Sequence, residues 1–185
     1  MKLTFVTTNK HKFQEAQAVL SEYHIELVQK NVSYDENHDH SIEEIARRAA
    51  KQLAEQFHQP VCVDDTGLEF EAFPGFPGAL PKFVFKTIGL RGVLKLLVGE
   101  KRGATVTTVV GYCEPGKEPV VFKGELKGTI TETIDTSNPH PHAYDAVFIA
   151  EGMHKPLSAV SLEEKNSVSH RAIAFRRLGE YLLTK

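Results

Sequence analysis

Val61-Cys62-Val63-Asp64-Asp65-Thr66-Gly67-Leu68 sets two adjacent carboxylates and a hydroxyl where a short apolar strand reads as meeting a turn. Oxygen donors of this kind suit Mg²⁺, which takes one or two protein carboxylates and keeps several waters. They also suit the activation of a water molecule. Neighbouring strand residues face opposite sides, so both carboxylates share a direction only if the strand ends there. Otherwise one meets metal and water while the other turns inward to cap a turn or pair with a cation. The bland reading is an Asx-turn leading into Thr66-Gly67. Glu36, Glu44, Glu69 and Glu71 are candidates to complete an oxygen-rich shell.

Two more polar clusters accompany the acidic pair. Thr7-Thr8-Asn9-Lys10-His11-Lys12 stands at a predicted helix start, where free backbone N–H groups and the helix dipole attract anions. It lacks the glycines of a Walker loop or a dinucleotide fingerprint, so a solvated polar turn is the competing reading. Lys165-Asn166-Ser167-Val168-Ser169-His170-Arg171 offers a cation, a helix start capped by Ser169, and donors able to read the oxo edge of a base. A loop with a serine cap would look the same. Asn37-His38-Asp39-His40 and Pro139-His140-Pro141-His142 invite a zinc reading, but HxH pairs without a thiolate partner fit solvated loops better. Taken together, the three clusters suggest a polyphosphate held by cations and hydrolysed beside a metal.

The elements that must position these groups follow from periodicity. Leu3–Thr7 reads as a strand, followed by a helix with Phe13, Ala16 and Leu20 on one face. Ile25–Val32 reads as the next strand. Ser41 with Glu44 makes a capping-box pattern for a helix carrying Ile42, Ile45, Ala46, Ala49, Leu53 and Phe57 on one stripe. The strand bearing Asp64 follows Pro60. Phe73–Pro81 is rich in turn residues and is expected to be irregular. A helix is expected over Leu90–Val98. Ala104–Tyr112 and Val120–Gly124, joined by Glu114-Pro115-Gly116-Lys117, read as an antiparallel hairpin. Tyr144–Ala150 reads as a strand, and Ala172–Leu183 as a closing helix with Phe175, Leu178 and Leu182 inward. This order predicts an α/β fold with mixed strand pairing and no repeats.

Length and composition narrow the class. The 185 residues suffice for one domain, 1–185, and 41% hydrophobic with 25% charged content is ordinary for a globular chain. No apolar run approaches the ~20 residues of a membrane span. The opening Met1–Val6 is too short for a signal peptide and reads as strand. Two cysteines, Cys62 and Cys113, argue against a disulfide framework and for a cytoplasmic setting. A net charge of -2 argues against bulk nucleic-acid binding, though not against a small anion in a locally basic pocket.

With these residues in view, the chain resembles the inosine triphosphate pyrophosphatases nearly end to end. The family's T-G-N-x-x-K opening is matched by Thr7–Lys12, its D/E-D-S/T-G strand by Asp64–Gly67, and its G-x-P-G segment by Gly75–Gly78 followed by Lys82. Its aromatic-x-Y/W-D motif is matched by His142-Ala143-Tyr144-Asp145, and E-K-x-x-x-S-H-R by Glu164-Lys165 through Ser169-His170-Arg171. The resemblance implies a two-lobed single domain around a long twisted mixed β-sheet with flanking helices, usually a homodimer, binding substrate between the lobes. It implies Mg²⁺-dependent hydrolysis of ITP, dITP or XTP to the monophosphate and pyrophosphate. Thr7, Thr8, Asn9, Lys10, His11 and Lys12 would then cradle the triphosphate. Asp65 would accept the proton and bind Mg²⁺ with Glu36, Glu44 being the reserve. Thr66, Lys82 and Lys165 would contact the nucleotide, and His142, Ala143, Tyr144, Asp145, His170 and Arg171 would surround the base. Two departures stand out: Thr8 replaces the usual glycine, and His142 stands where a phenylalanine commonly stacks. Competing readings are a pyrophosphatase for modified pyrimidine nucleotides and a non-catalytic nucleotide- or RNA-binding module.

Overall fold

The computed structural model describes residues 1–34, 41–138 and 144–185. β1 (Lys2–Val6) is buried at every position after Lys2, as befits a strand covered on both faces. It pairs in parallel with β2 (Glu26–Lys30) on one side and with the start of β3 (Val61–Phe70) on the other. β3 then runs antiparallel along the whole of β5 (Gly103–Cys113), which pairs with β6 (Val120–Ile130) and, through it, β7 (Phe148–Ala150). The sheet order is β2-β1-β3-β5-β6-β7, with β4 (Phe73–Gly78) added to β3. Mixed pairing around long central strands is therefore present.

α1 (Lys10–Ser21) starts where Asn9 Oδ1 accepts from the backbone N–H groups of His11 (3.0 Å) and Lys12 (3.3 Å). α2 (Ile42–Phe57) starts at the expected capping box, formed reciprocally by Ser41 and Glu44. It buries Ala46, Ala49, Ala50 and Leu53 against Val63 and Val109. α1 and α6 (His170–Leu183) cover the opposite face, joining Phe5, Leu20, Phe175 and Leu178 in a second core. α3 (Pro81–Thr87) and α4 (Gly89–Leu96) close the far end over Leu68, Phe70 and Phe148. A Cβ placed at Gly124 would lie 2.0 Å from the His170 carbonyl oxygen, so only glycine lets α6 begin directly on β6.

Several expectations need correction. β3 does not end at the acidic pair: Thr66 and Gly67 pair with Thr108 and Thr107, and the strand reaches Phe70. Phe73–Gly78 is not irregular; it forms the β4 branch, where a proline's missing N–H costs little on an edge. Pro81 then opens α3, which the sequence reading missed along with α5 (Leu162–Val168). Tyr144–Val147 forms a turn closed by a Val147 N–H bond to the Tyr144 carbonyl (2.9 Å), so only Phe148–Ala150 is strand. The HxH segments lie outside the described residues. Among the described residues no cluster of three or more His, Cys, Asp or Glu could hold a metal. No described helix is long and apolar enough to cross a membrane.

Candidate functional site

Strand pleat separates the two carboxylates. Asp64 points to the side covered by α1 and α6, where Lys12 Nζ lies 3.1 Å from Oδ1 and Arg171 Nε donates to Oδ2 at 2.9 Å. Lys12 also donates to the Asp64 backbone carbonyl at 3.1 Å. Burial opposes ionisation of Asp64, but the two cations outweigh it and hold the carboxyl below its usual range. Asp65 points the other way, with Tyr34 Oη 3.5 Å from its Oδ2, and borders a cleft of about 610 Å³. That volume lies within the usual range of ~300–1,000 Å³ for small-molecule sites.

Nine of the expected residues line this cleft. Thr7, Thr8, Asn9 and Lys12 come from the first turn, Asp65 and Thr66 from β3, Lys82 from α3, Tyr144 from the turn before β7, and Arg171 from α6. Arg171 Nη2 donates to Thr66 Oγ1 (3.1 Å), which also bonds Thr108 Oγ1 (3.0 Å). Lys10 and His11 are exposed and outside the lining. Asp145, Lys165 and His170 sit behind the floor. Glu36, His142 and Ala143 lie outside the described residues.

The floor is a buried ion network centred on Glu15, which the sequence reading missed. Its Oε1 accepts from Lys165 Nζ at 2.7 Å and its Oε2 from Arg171 Nη1, while Lys165 also donates to Asp145 Oδ2 at 2.6 Å. Burial disfavours the Glu15 carboxylate, yet Arg171 and Lys165 together bring its pKa down to about 2. The available signal was a carboxylate one residue before Ala16 and four before Val19, on the buried face of α1. Above this network Tyr144 Oη and His170 Nε2 are 3.1 Å apart. Burial, helped by Arg171, pushes the imidazole well below its ordinary pKa and leaves it neutral; burial likewise pushes the Tyr144 phenol well above its own.

A second groove, of about 1390 Å³, lies over the bare face of β3, β5 and β6. It is larger but carries five carboxylates (Glu43, Glu69, Glu71, Glu125, Glu151) against Lys123 and Lys127. The smaller cleft sets Lys12, Lys82, Lys86 and Arg171 against Asp64 and Asp65. Of the two, the smaller suits an anion better, because an acidic groove repels one.

Mg²⁺ is compatible with this donor set. Asp65 offers hard carboxylate oxygen at the cleft, which would suit an ion held mainly by water and phosphates. Glu44 is spent in its capping box, and Glu69 and Glu71 face the other groove.

A model of the Ham1 family matches residues 3–181. The chain belongs to the Ham1 family. The dITP/XTP pyrophosphatase of Methanopyrus kandleri is 44% identical over 98% of this chain and 96% of that protein. That of Methanosarcina mazei is 40% identical over 98% and 97%. The HAM1 protein from Coxiella burnetii superimposes with a TM-score of 0.81 over 100% of both chains at 21% identity, which shows the shared Ham1 fold. The nucleoside-triphosphatase / dITP/XTP pyrophosphatase of Mycobacterium abscessus is 26% identical, with a TM-score of 0.71 over 96% of this chain and 98% of that one.

Proposed function

We infer that this chain is a dITP/XTP pyrophosphatase: it hydrolyses noncanonical purine nucleoside triphosphates to the nucleoside monophosphate and pyrophosphate. The observation that carries the reading is Asp65, the one carboxylate of its pair left facing a cation-lined cleft of nucleotide size. Near full-length identity to proteins of that name supports the same activity.

Asp65 accepts the proton of a water attacking the α-phosphorus, and pyrophosphate leaves. Asp65, with Glu36 as the second carboxylate, would hold Mg²⁺, which would supply charge neutralisation for the triphosphate and its leaving group. Thr7, Thr8, Asn9, Lys12 and Lys82 hold the phosphates, with Thr66 beside Asp65. Lys165 acts from behind the floor by fixing Asp145 and Glu15, so its contact with substrate is indirect. Tyr144, next in sequence to His142, Ala143 and Asp145, forms the base wall with Arg171, while His170 bonds the Tyr144 hydroxyl from behind the floor and acts on the base indirectly. Their donors favour a 6-oxo purine over adenine, whose amino group meets a donor badly. The same reading makes the enzyme a homodimer, which sedimentation at micromolar concentration checks. It also places the enzyme in the cytoplasm, where Cys62 and Cys113 remain free thiols.

Incubation with dITP or XTP and Mg²⁺, followed by product identification, tests the activity. The expected products are dIMP or XMP and pyrophosphate. Release of orthophosphate, preference for dUTP or dTTP, or tight binding without turnover would each overturn it, the last in favour of a non-catalytic binding module.

A further inference from the structure

Two of the cations that line the cleft with Asp65 are already committed. Lys12 is shared between two oxygens of Asp64, and Arg171 divides its donors among Asp64, Glu15 and Thr66. These carboxylates offset much of their charge, so a polyphosphate that Lys12 meets at the floor needs further cations to balance it. On the opposite lip, α3 presents Lys82 and Lys86 to the cleft, four residues apart and so on one helical face. Among the described residues neither forms an ion pair. From Ala72 to Gly99 the sequence contains no Asp or Glu, so α3 and α4 supply no anion of their own. Like charges one turn apart repel, and a bound anion relieves that repulsion.

We propose that Lys86, together with Lys82, forms a two-cation clamp on α3 that binds the pyrophosphate end of the substrate and the pyrophosphate product. The assignment rests on the pyrophosphatase reading above and adds a residue to it. Phe85, between the two lysines, packs on Tyr144 with ring centroids 5.9 Å apart, so the base wall fixes the orientation of the helix that carries the clamp. Lys82 lies at the N-terminal end of α3, beside the β4–α3 junction, and Lys86 stands one turn further along the lip. A triphosphate whose α-phosphorus is at Asp65 would extend its outer phosphates toward this strip.

The test compares wild type, Lys86→Gln, Lys86→Arg and the charge-matched control Lys95→Gln, whose exposed lysine lies on α4 outside the cleft lining. Turnover of dITP with Mg²⁺, inhibition by inorganic pyrophosphate and inhibition by dIMP are measured. Lys86→Gln is expected to raise the KM for dITP and weaken pyrophosphate inhibition by about tenfold, the effect of losing one charge-assisted contact. Inhibition by dIMP should not change, Lys86→Arg should restore both constants, and Lys95→Gln should track wild type. Unchanged KM and pyrophosphate inhibition in Lys86→Gln, or equal weakening by pyrophosphate and dIMP, would overturn the clamp. If wild type fails to turn over dITP, the pyrophosphatase reading falls alone. Calorimetric titration of wild type and Lys86→Gln with inorganic pyrophosphate then still reads the clamp, which equal affinities would overturn.

Discussion

Asp64 and Asp65 are consecutive residues on β3, yet they meet opposite environments. Asp64 is sealed under α1 and α6 between Lys12 and Arg171, whereas Asp65 opens toward Tyr34 and the cleft. Their side chains share one chemistry, so the division of labour comes from the pleat and from what packs on each face. A buried carboxylate held between two cations is a structural element. One at the border of an open cleft is placed to meet water there, as the proposed proton acceptor must. The pair teaches that the first aspartate makes the second useful, because it absorbs the charge of two cations that would otherwise crowd the floor.

The comparison is broken most directly by Asp65→Asn. Removing a general base costs about 10²–10⁴-fold in turnover, so kcat for dITP should fall by that range while the thermal midpoint stays near wild type. Asp64→Asn should do the reverse in kind. It leaves Lys12 and Arg171 short of a counter-charge and should cost about 3–5 kcal/mol in urea denaturation. A stable Asp64→Asn protein with lost turnover would exchange the two roles.

Glu15 sharpens the buried side through pH. Its folded-state pKa of about 2 lies below the ordinary 4.5, so its stabilising contribution is complete above 4.5 and disappears as pH falls through about 2. Unfolding free energy should therefore decline with acidification across that window, and Glu15→Gln should flatten that part of the profile. The smallest effect belongs to Glu44→Ala, which removes half of a capping box. About 1 kcal/mol of stability should be lost with kcat/KM for dITP unchanged. A collapse of activity there would return Glu44 to the metal site.

The legible features were those whose partners are close in sequence. Asn9 and Ser41 cap helices through residues two or three positions away, and the β5–β6 hairpin closes through a Lys117 N–H bond to Glu114. Thr66-Gly67 misled because it looks like a turn in isolation. Inside the sheet, Thr108 and Thr107 supply the pairing that keeps the strand going. The 73–78 segment misled for the same reason, since β3 offers it a ladder that no local pattern announces. At the site, the sequence picked out Asp65 and the first-turn donors but gave Lys165 and His170 positions against the nucleotide, whereas folding sank both behind the cleft floor.

By itself the chain determined an acidic pair on a strand, a donor-rich helix start, basic residues at the beginning of the last helix and a family pattern joining them. Tertiary structure decided which aspartate stays open, that Glu15 meets Arg171 across 156 positions, and that α3 brings lysines to the lip. The physical reason is desolvation. A buried charge is tolerable only beside its opposite, and in this network those opposites come from α1, β3, α5 and α6, which only folding brings together.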